Sequence, residues 1–422
     1  MEELTEMPEE KISRRNYLKY AGVAVAAAAV GAAGLYATSP PGGPATTVTQ
    51  TLIQTLQATT TAPAGPQMTK PKKKYTIAFS NGEMVDPWRW TFVKDMEAWA
   101  KKYNDIGPGV NFIWTNALQD SAKQLADCET LLAMKPDALI LSPYESAPLD
   151  PVFDKCNDAG VPLFCIDREI LRPPGTGTYV QAITQDWYYN GRLDAMLLVE
   201  KLKAINGEPK GNCVWIMGAI GSSPQIGLNV GVADYLLHMN NYTDVKFYEA
   251  RPGNWDAALA TTISEDFYTK YGKGKIDFVF TNGSIMALSA MEVAKRFGRD
   301  ELIGKASGDD CYRPWLEMIV AGDGSWSTEC SPYYGYLTLE EVMKYLNGEK
   351  VPPSKAVPIR TYSNWIQPDI VKRHVEVLKE QNLDYPTFEL DNFDELVLEG
   401  VYGKPDWWKV GDPTPMPNVI QT

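Results

Sequence analysis

Between residues 75 and 330, short apolar runs alternate with longer amphipathic segments, and the pattern occurs twice. The first set of strand-like runs covers 76–80, 110–114, 138–142, 163–167 and 179–183. Helical spacing of apolar residues fills 88–104, 119–135 and 148–160 between them. The second set covers 213–218, 245–250, 278–281 and 305–309, with helical segments over 187–206, 224–241, 254–271, 285–298 and 311–322. Strands that alternate with helices require a parallel sheet covered on both faces. Two such sets predict an α/β chain of two doubly wound parallel-sheet lobes. Residues 74–185 with 331–362 make the first lobe, and 186–330 make the second. A short strand over 325–330, a helix over 333–346 and an extended piece over 357–362 complete them. The remainder, 363–422, carries Trp365, Trp407, Trp408 and many prolines, and reads as an extension wrapped on a lobe.

Ahead of the lobes the chain changes character. Ser13-Arg14-Arg15-Asn16-Tyr17-Leu18-Lys19 matches the twin-arginine export pattern, and an uncharged apolar run over 21–37 follows it. That run is marginal in length for a membrane span, so residues 1–37 read as a cleaved signal or a retained anchor. Residues 38–73 repeat Pro, Gly, Thr and Gln, a composition that buries too little apolar surface to fold. A Thr-rich linker behind a membrane segment implies display outside the cytoplasm. Asn241-Tyr242-Thr243 is a glycosylation sequon in an expected surface turn.

Charge narrows the function classes. The net charge is −13, while the first 70 residues balance five basic side chains (Lys11, Arg14, Arg15, Lys19, Lys70) against five acidic ones (Glu2, Glu3, Glu6, Glu9, Glu10). The whole excess sits on the folded body, which argues against a nucleic-acid partner. Six cysteines without a CxxC pair give little support to a zinc site. Two readings of them stand: six buried free thiols, or, in an exported protein, a Cys311–Cys330 pair near one cleft edge. Enzyme signatures are missing. There is no GxSxG elbow, P-loop or GxGxxG after a strand, and His238 and His374 stand far apart.

In an open α/β sheet, ligands bind beyond the carboxyl ends of the strands. The first strand delivers Asn81, Asp86, Trp88, Arg89 and Trp90 there. Asp167 and Arg168 follow the fourth strand, and the crossover after it gives Gln185, Asp186 and Trp187. The second lobe adds Ser222-Ser223, Trp255, Asn282 and Asp309-Asp310. Carboxylates accept hydroxyl hydrogen bonds, an arginine fork donates in a plane, and indole faces pack on sugar C–H groups. These types suit a sugar or polyol held between two lobes. Trp88 and Trp90 cannot share a helix face, so Trp88 and Arg89 are assigned to the ligand and Trp90 to packing. Asp167-Arg168 also reads as a structural ion pair, and one of Asp309 and Asp310 as a helix cap.

The chain resembles the extracytoplasmic sugar-binding proteins of ABC transporters, ribose/galactose type, with the type I periplasmic-binding fold. The resemblance covers about 74–362. It rests on Asp86-Pro87-Trp88-Arg89, on Lys135-Pro136-Asp137-Ala138, on Ala159-Gly160-Val161-Pro162 leading into Ile166-Asp167-Arg168, and on Asp186-Trp187. Thr281-Asn282-Gly283, Gly308-Asp309-Asp310 and Leu346-Asn347-Gly348 continue it. It implies that Trp88, Arg89, Asp167, Arg168, Asn282 and Asp310 contact a sugar and that Trp255 lines the pocket. It further implies hinge strands near 184–186, 309–311 and 329–331, no cofactor or metal, no enzymatic activity, and a membrane permease as partner. A ligand-binding sensor ectodomain is the alternative. One departure stands out: the family usually places an arginine after Gly221-Ser222-Ser223, where this chain reads Pro224-Gln225-Ile226-Gly227.

Overall fold

The computed structural model describes residues 68–387, apart from 329, 358, 360, 366 and 367. The export segment expected over 1–37, most of the linker expected over 38–73, and Trp407 and Trp408 lie outside the described residues. Among the described residues no helix is long and apolar enough to cross a membrane.

Strands β1 (Tyr75–Asn81), β2 (Val110–Asn116), β3 (Ala138–Ser142), β4 (Leu163–Ile166) and β5 (Tyr179–Thr184) pair in parallel in the order β2-β1-β3-β4-β5. β1 and β3 are central and buried on both faces, which is why they read as continuous apolar runs. Helices α1 (Pro87–Ile106), α2 (Ser121–Ala133) and α3 (Val152–Ala159) cover this sheet. The inner face of α1 carries Trp88, Phe92, Met96, Trp99 and Tyr103 at helical spacing. Trp90 falls on the opposite side and is 50% exposed, so it does not pack as expected. The 100° step per residue that buries Trp88 turns Trp90 to solvent.

The second sheet is built the same way. β6 (Gly211–Met217), β7 (Val245–Pro252) and β8 (Phe278–Thr281) pair in the order β7-β6-β8. A parallel bridge from Val279 to Ala306 joins β8 to β9 (Ser307–Asp309), which pairs with β10 (Trp326–Thr328). Helices α4 (Trp187–Asn206), α5 (Ser223–Ala233), α6 (Ala257–Lys270), α7 (Ser284–Arg296) and α8 (Arg313–Ala321) alternate with these strands. α4 and α5 cross at close range. A Cβ on Gly231 would fall on the Tyr188 carbonyl oxygen, so only glycine allows the approach.

After β10 the chain crosses to the first lobe. α9 (Tyr334–Leu346) lies on α1, with Gly335 against Phe92 and Met96, and β11 (Ser354–Ala356) adds a sixth parallel strand beside β5. The chain then returns: β12 (Thr361–Ser363) pairs antiparallel with β10, and α10 (Pro368–Glu380) packs on α8 and β12. The crossings are therefore at 184–187, 328–334 and 356–361. Residues 309–311, expected as a hinge, lead from β9 into α8 within the same lobe. The extended piece expected over 357–362 supplies the edge strand β12, and within the tail expected to wrap a lobe over 363–422, residues 368–380 form a covering helix.

Two more expectations change. The last residues assigned to the linker are fixed on α9: Thr69 N donates to Glu340 Oε2 (2.8 Å), Lys72 N to Asn347 Oδ1 (3.2 Å), and Asn347 Nδ2 to Lys70 O (2.9 Å). The folded body thus starts by Met68. All six cysteines are buried free thiols, and Cys311 and Cys330 are not bonded to each other. The Cys330 thiol donates instead toward Tyr334 Oη (3.7 Å).

Candidate functional site

A cleft of about 440 Å³, partly open to solvent, lies between the two sheets at the carboxyl ends of their strands. All seven residues singled out from the sequence line it: Trp88, Arg89, Asp167, Arg168, Trp255, Asn282 and Asp310.

The first wall is set by the start of α1. Asp86 caps the helix by accepting from Arg89 N (2.7 Å), and Pro87 occupies the first turn, where its missing N–H costs nothing. This entry fixes Trp88 and Arg89 at the cleft. Arg89 Nη2 donates to Asp167 Oδ2 (2.7 Å) and Nη1 to Ser142 Oγ (3.1 Å). Its guanidinium lies 4.8 Å from the Trp88 ring centroid. Trp88 stacks on Phe92 (5.2 Å between centroids) and donates from Nε1 to Cys330 O (2.5 Å), so it is both packed and pocket-lining.

Asp167 follows β4 with φ +64°, a left-handed conformation that costs a non-glycine residue energy and is concentrated at functional sites. The turn aims its carboxylate at Arg89. Arg168 pairs with Glu83 Oε1 and lies over the Trp255 ring (4.7 Å). Arg168 comes from the first lobe and Trp255 from the second, so this cation–π contact bridges them. Ser146 N to Gly221 O (2.9 Å) and Glu169 N to Ser223 Oγ (2.8 Å) are further bridges.

On the second wall, Trp255 also has positive φ (+57°), an outlier for so large a residue. Its Nε1 donates to Asn282 O (2.7 Å), and Gly218 and Gly283 leave space for the ring. Asn282 Oδ1 accepts from Trp215 Nε1 (2.6 Å) and Gln225 Nε2 (3.1 Å). Its Nδ2 is buried and has no hydrogen-bond partner among the described residues. A buried donor without a partner is costly, and a ligand oxygen would satisfy it. Asp310, at φ +89°, accepts from Tyr312 N (2.8 Å) and Ser284 N (3.4 Å). Asp309 accepts from Thr328 Oγ1 (3.2 Å) and Asn190 Nδ2 (3.4 Å).

Five carboxylates (Glu83, Asp86, Asp167, Asp309, Asp310) and two guanidiniums line the cleft. The arginines are taken up by Glu83 and Asp167. Burial pushes Asp86 up to about 6, with Glu83 adding to the shift, and pushes Asp309 up to about 7. Asp310 rises well above the ordinary carboxylate range for the same reason, and Asp309 adds to it. An ionised carboxylate accepts and a protonated carboxyl also donates, so this lining matches a ligand rich in hydroxyls.

Sequence reasoning did not single out Glu83 or Pro224 as lining residues, and it placed Cys330 near the cleft edge only as a possible disulfide partner. Glu83 stands in the loop between β1 and α1, where no periodicity marks it. Gln225, in the stretch where an arginine was missing, holds Asn282 and accepts from Gly218 N (2.5 Å) through Oε1. A neutral amide therefore supports this wall.

Comparison with known proteins agrees with this arrangement. Residues 77–350 match the model of the family described as "Periplasmic binding protein domain". The galactofuranose-binding protein YtfQ of Escherichia coli is 24% identical over 316 residues, 74% of this chain and 92% of that protein. The ribose import binding protein RbsB of Bacillus subtilis is 26% identical, over 70% of this chain and 91% of that one. Among solved structures, a galactofuranose binding protein superposes with a TM-score of 0.64 at 22% identity, covering 74% of this chain and all of that one. A solute binding protein from Bacillus halodurans with bound myo-inositol gives 0.62 at 21% identity, covering 73% and 99%. Two parallel-sheet lobes, a polar and aromatic cleft between them, and a family match over residues 77–350 lead to one assignment: this chain belongs to the periplasmic binding protein family.

Proposed function

We propose that this protein captures a sugar or polyol in the interlobe cleft and delivers it to an ABC-transporter permease. Members of the family are binding proteins, not enzymes. The observation that carries the sugar reading is the convergence of opposed polar groups and an indole: Arg89 and Asp167 from the first lobe, Asn282, Asp310 and Trp255 from the second. The relatives support it, being named for galactofuranose, ribose and xylitol. The ligand bonds both walls, so it favours the closed arrangement by contacts that the open one lacks. Trp88, Arg89, Asp167, Arg168, Trp255, Asn282 and Asp310 are the proposed ligand set.

Export by the twin-arginine route and a tether through the apolar segment and Thr-rich linker belong to the same proposal. The sensor alternative has less support, because curated relatives are named as import binding proteins. Native mass spectrometry of protein purified from the cells that make it tests the reading. A bound mass equal to a monosaccharide or polyol is expected, and it disappears on denaturation. A bound mass of another class, such as a peptide or nucleotide, refutes the sugar claim.

A further inference from the structure

Asp309 lines the cleft, and a second carboxyl stands behind it. Asp194, on α4, is 1% exposed. It accepts from Trp326 Nε1 (3.0 Å) and meets the Thr328 hydroxyl with both oxygens, Oδ1 at 3.2 Å and Oδ2 at 3.4 Å. The same Thr328 Oγ1 lies 3.2 Å from Asp309 Oδ1. Thr328 is fully buried and ends β10, where the chain begins its crossing to the first lobe. Asp194, Thr328 and Asp309 therefore form a line from the buried side of α4 to the solute wall.

The line is short of protons. A hydroxyl carries one hydrogen, and an ionised carboxylate only accepts. Thr328 can donate to one of the two carboxyls. The other contact is a hydrogen bond only when that carboxyl is protonated and donates to Oγ1. No cation relieves the shortage. The guanidiniums of Arg89 and Arg168 pair with Asp167 and Glu83, and Arg192 on α4 turns to Asp234 (3.7 Å). Neither Asp194 nor Asp309 forms an ion pair among the described residues. The other ionisable groups around Asp309 are acids: Asp167 after β4, Asp310 next in the chain, the Cys330 thiol on the crossing segment, and Glu83 and Asp86 across the cleft. Burial accordingly pushes Asp194 well above the ordinary carboxylate range, with Asp309 adding to the shift, and pushes Asp309 up to about 7.

We propose that Asp194 is a positioning residue for the solute site: across the Thr328 hydroxyl it shares one proton with Asp309, so that Asp309 meets the solute as acceptor or donor and binding is linked to pH. When a solute hydroxyl donates to Asp309, the Asp309 proton passes to Thr328 Oγ1 and the Thr328 proton passes to Asp194, so no proton leaves the group. When the solute presents a lone pair, the proton stays with Asp309. Closing the cleft on a neutral solute removes water and makes a second negative charge costlier, so the bound state holds the shared proton more tightly. Affinity therefore falls as pH rises past the range in which the pair keeps it. The inference rests on the cleft being the sugar site.

The test is calorimetry across pH with D-galactose, D-ribose, L-arabinose, xylitol and myo-inositol as probes. Wild type is expected to bind the tightest of these about tenfold more weakly at about pH 9 than at about pH 6. Asp194→Asn and Thr328→Val are expected to bind with a flattened pH profile, and Thr328→Ser, which keeps the hydroxyl, to restore the wild-type profile. A flat profile in wild type, or the wild-type profile in both Asp194→Asn and Thr328→Val, overturns the proposal while the sugar reading stands. If wild type binds none of the probes, the sugar reading falls and infrared spectra of the ligand-free protein at about pH 7 decide on the shared proton. Loss of a protonated-carboxyl band in Asp194→Asn supports it, and an unchanged band overturns it.

Discussion

Arg89 Nη2 lies 2.7 Å from Asp167 Oδ2, and this bond ties the first turn of α1 to the end of β4. Both side chains are buried, so each compensates the other's charge. Arg89→Ala leaves the Asp167 carboxylate, among the described residues, with the 3.5 Å approach of Arg168 Nε. Removing one partner of a buried pair costs on the order of 3–5 kcal/mol. Chemical denaturation should show a loss of that size, and calorimetry a fall in affinity of tenfold or more. Asp167→Ala should weaken binding similarly. Wild-type affinity in both variants would remove these residues from the ligand set.

Gly218 sets the position of Trp255. A Cβ there would sit inside the van der Waals surface of the indole. Gly218→Ala should displace the ring, weaken binding at least tenfold and lower stability by about 1–3 kcal/mol. Tryptophan fluorescence of the ligand-free variant should shift as well. An unchanged spectrum with unchanged affinity would show that the ring does not line the bound site.

The cleft carboxyls make stability depend on pH. Burial holds Asp309 at about 7 and Asp86 at about 6, above the value of about 4 in an unfolded chain. The folded protein keeps protons that the unfolded chain gives up. Its stability therefore falls as pH rises from about 4 to about 7. Thermal melts of the ligand-free protein across that window should show Tm decreasing, and Asp309→Asn should flatten the slope. A Tm that rises over the upper half of the window would contradict the sign.

The thiols give a simple check. All six are buried and none is in a disulfide, and burial raises Cys128, Cys165, Cys156 and Cys213 above the ordinary thiol value. A thiol reagent should react slowly with native protein and with six groups after denaturation. Reductant should not change Tm. Four reactive thiols in denaturant would instead indicate a disulfide.

The long central strands were legible because burial on both faces leaves an unbroken apolar run, as in Ala138–Ser142. Placing the strands also places their carboxyl ends, which is how Asp167, Asn282 and Asp310 could be gathered from separate segments. What the sequence hides is short or relational. β11 and β12 span three residues each, too few for a period to show. α10 carries Val371, His374, Val375 and Leu378 at helical spacing, but a Pro- and Trp-rich tail masks it. Glu83 matters because Arg168, 85 residues away, pairs with it, and no local pattern encodes that.

The central claim is that the cleft binds a sugar or polyol. Isothermal titration calorimetry of the purified protein against aldopentoses, aldohexoses, their furanose-forming isomers and cyclic polyols tests it most directly. The account predicts saturable binding of at least one compound at one site per chain, with at least tenfold weaker binding in Arg89→Ala. No binding to any of these compounds, or equal affinity in the variant, would contradict it.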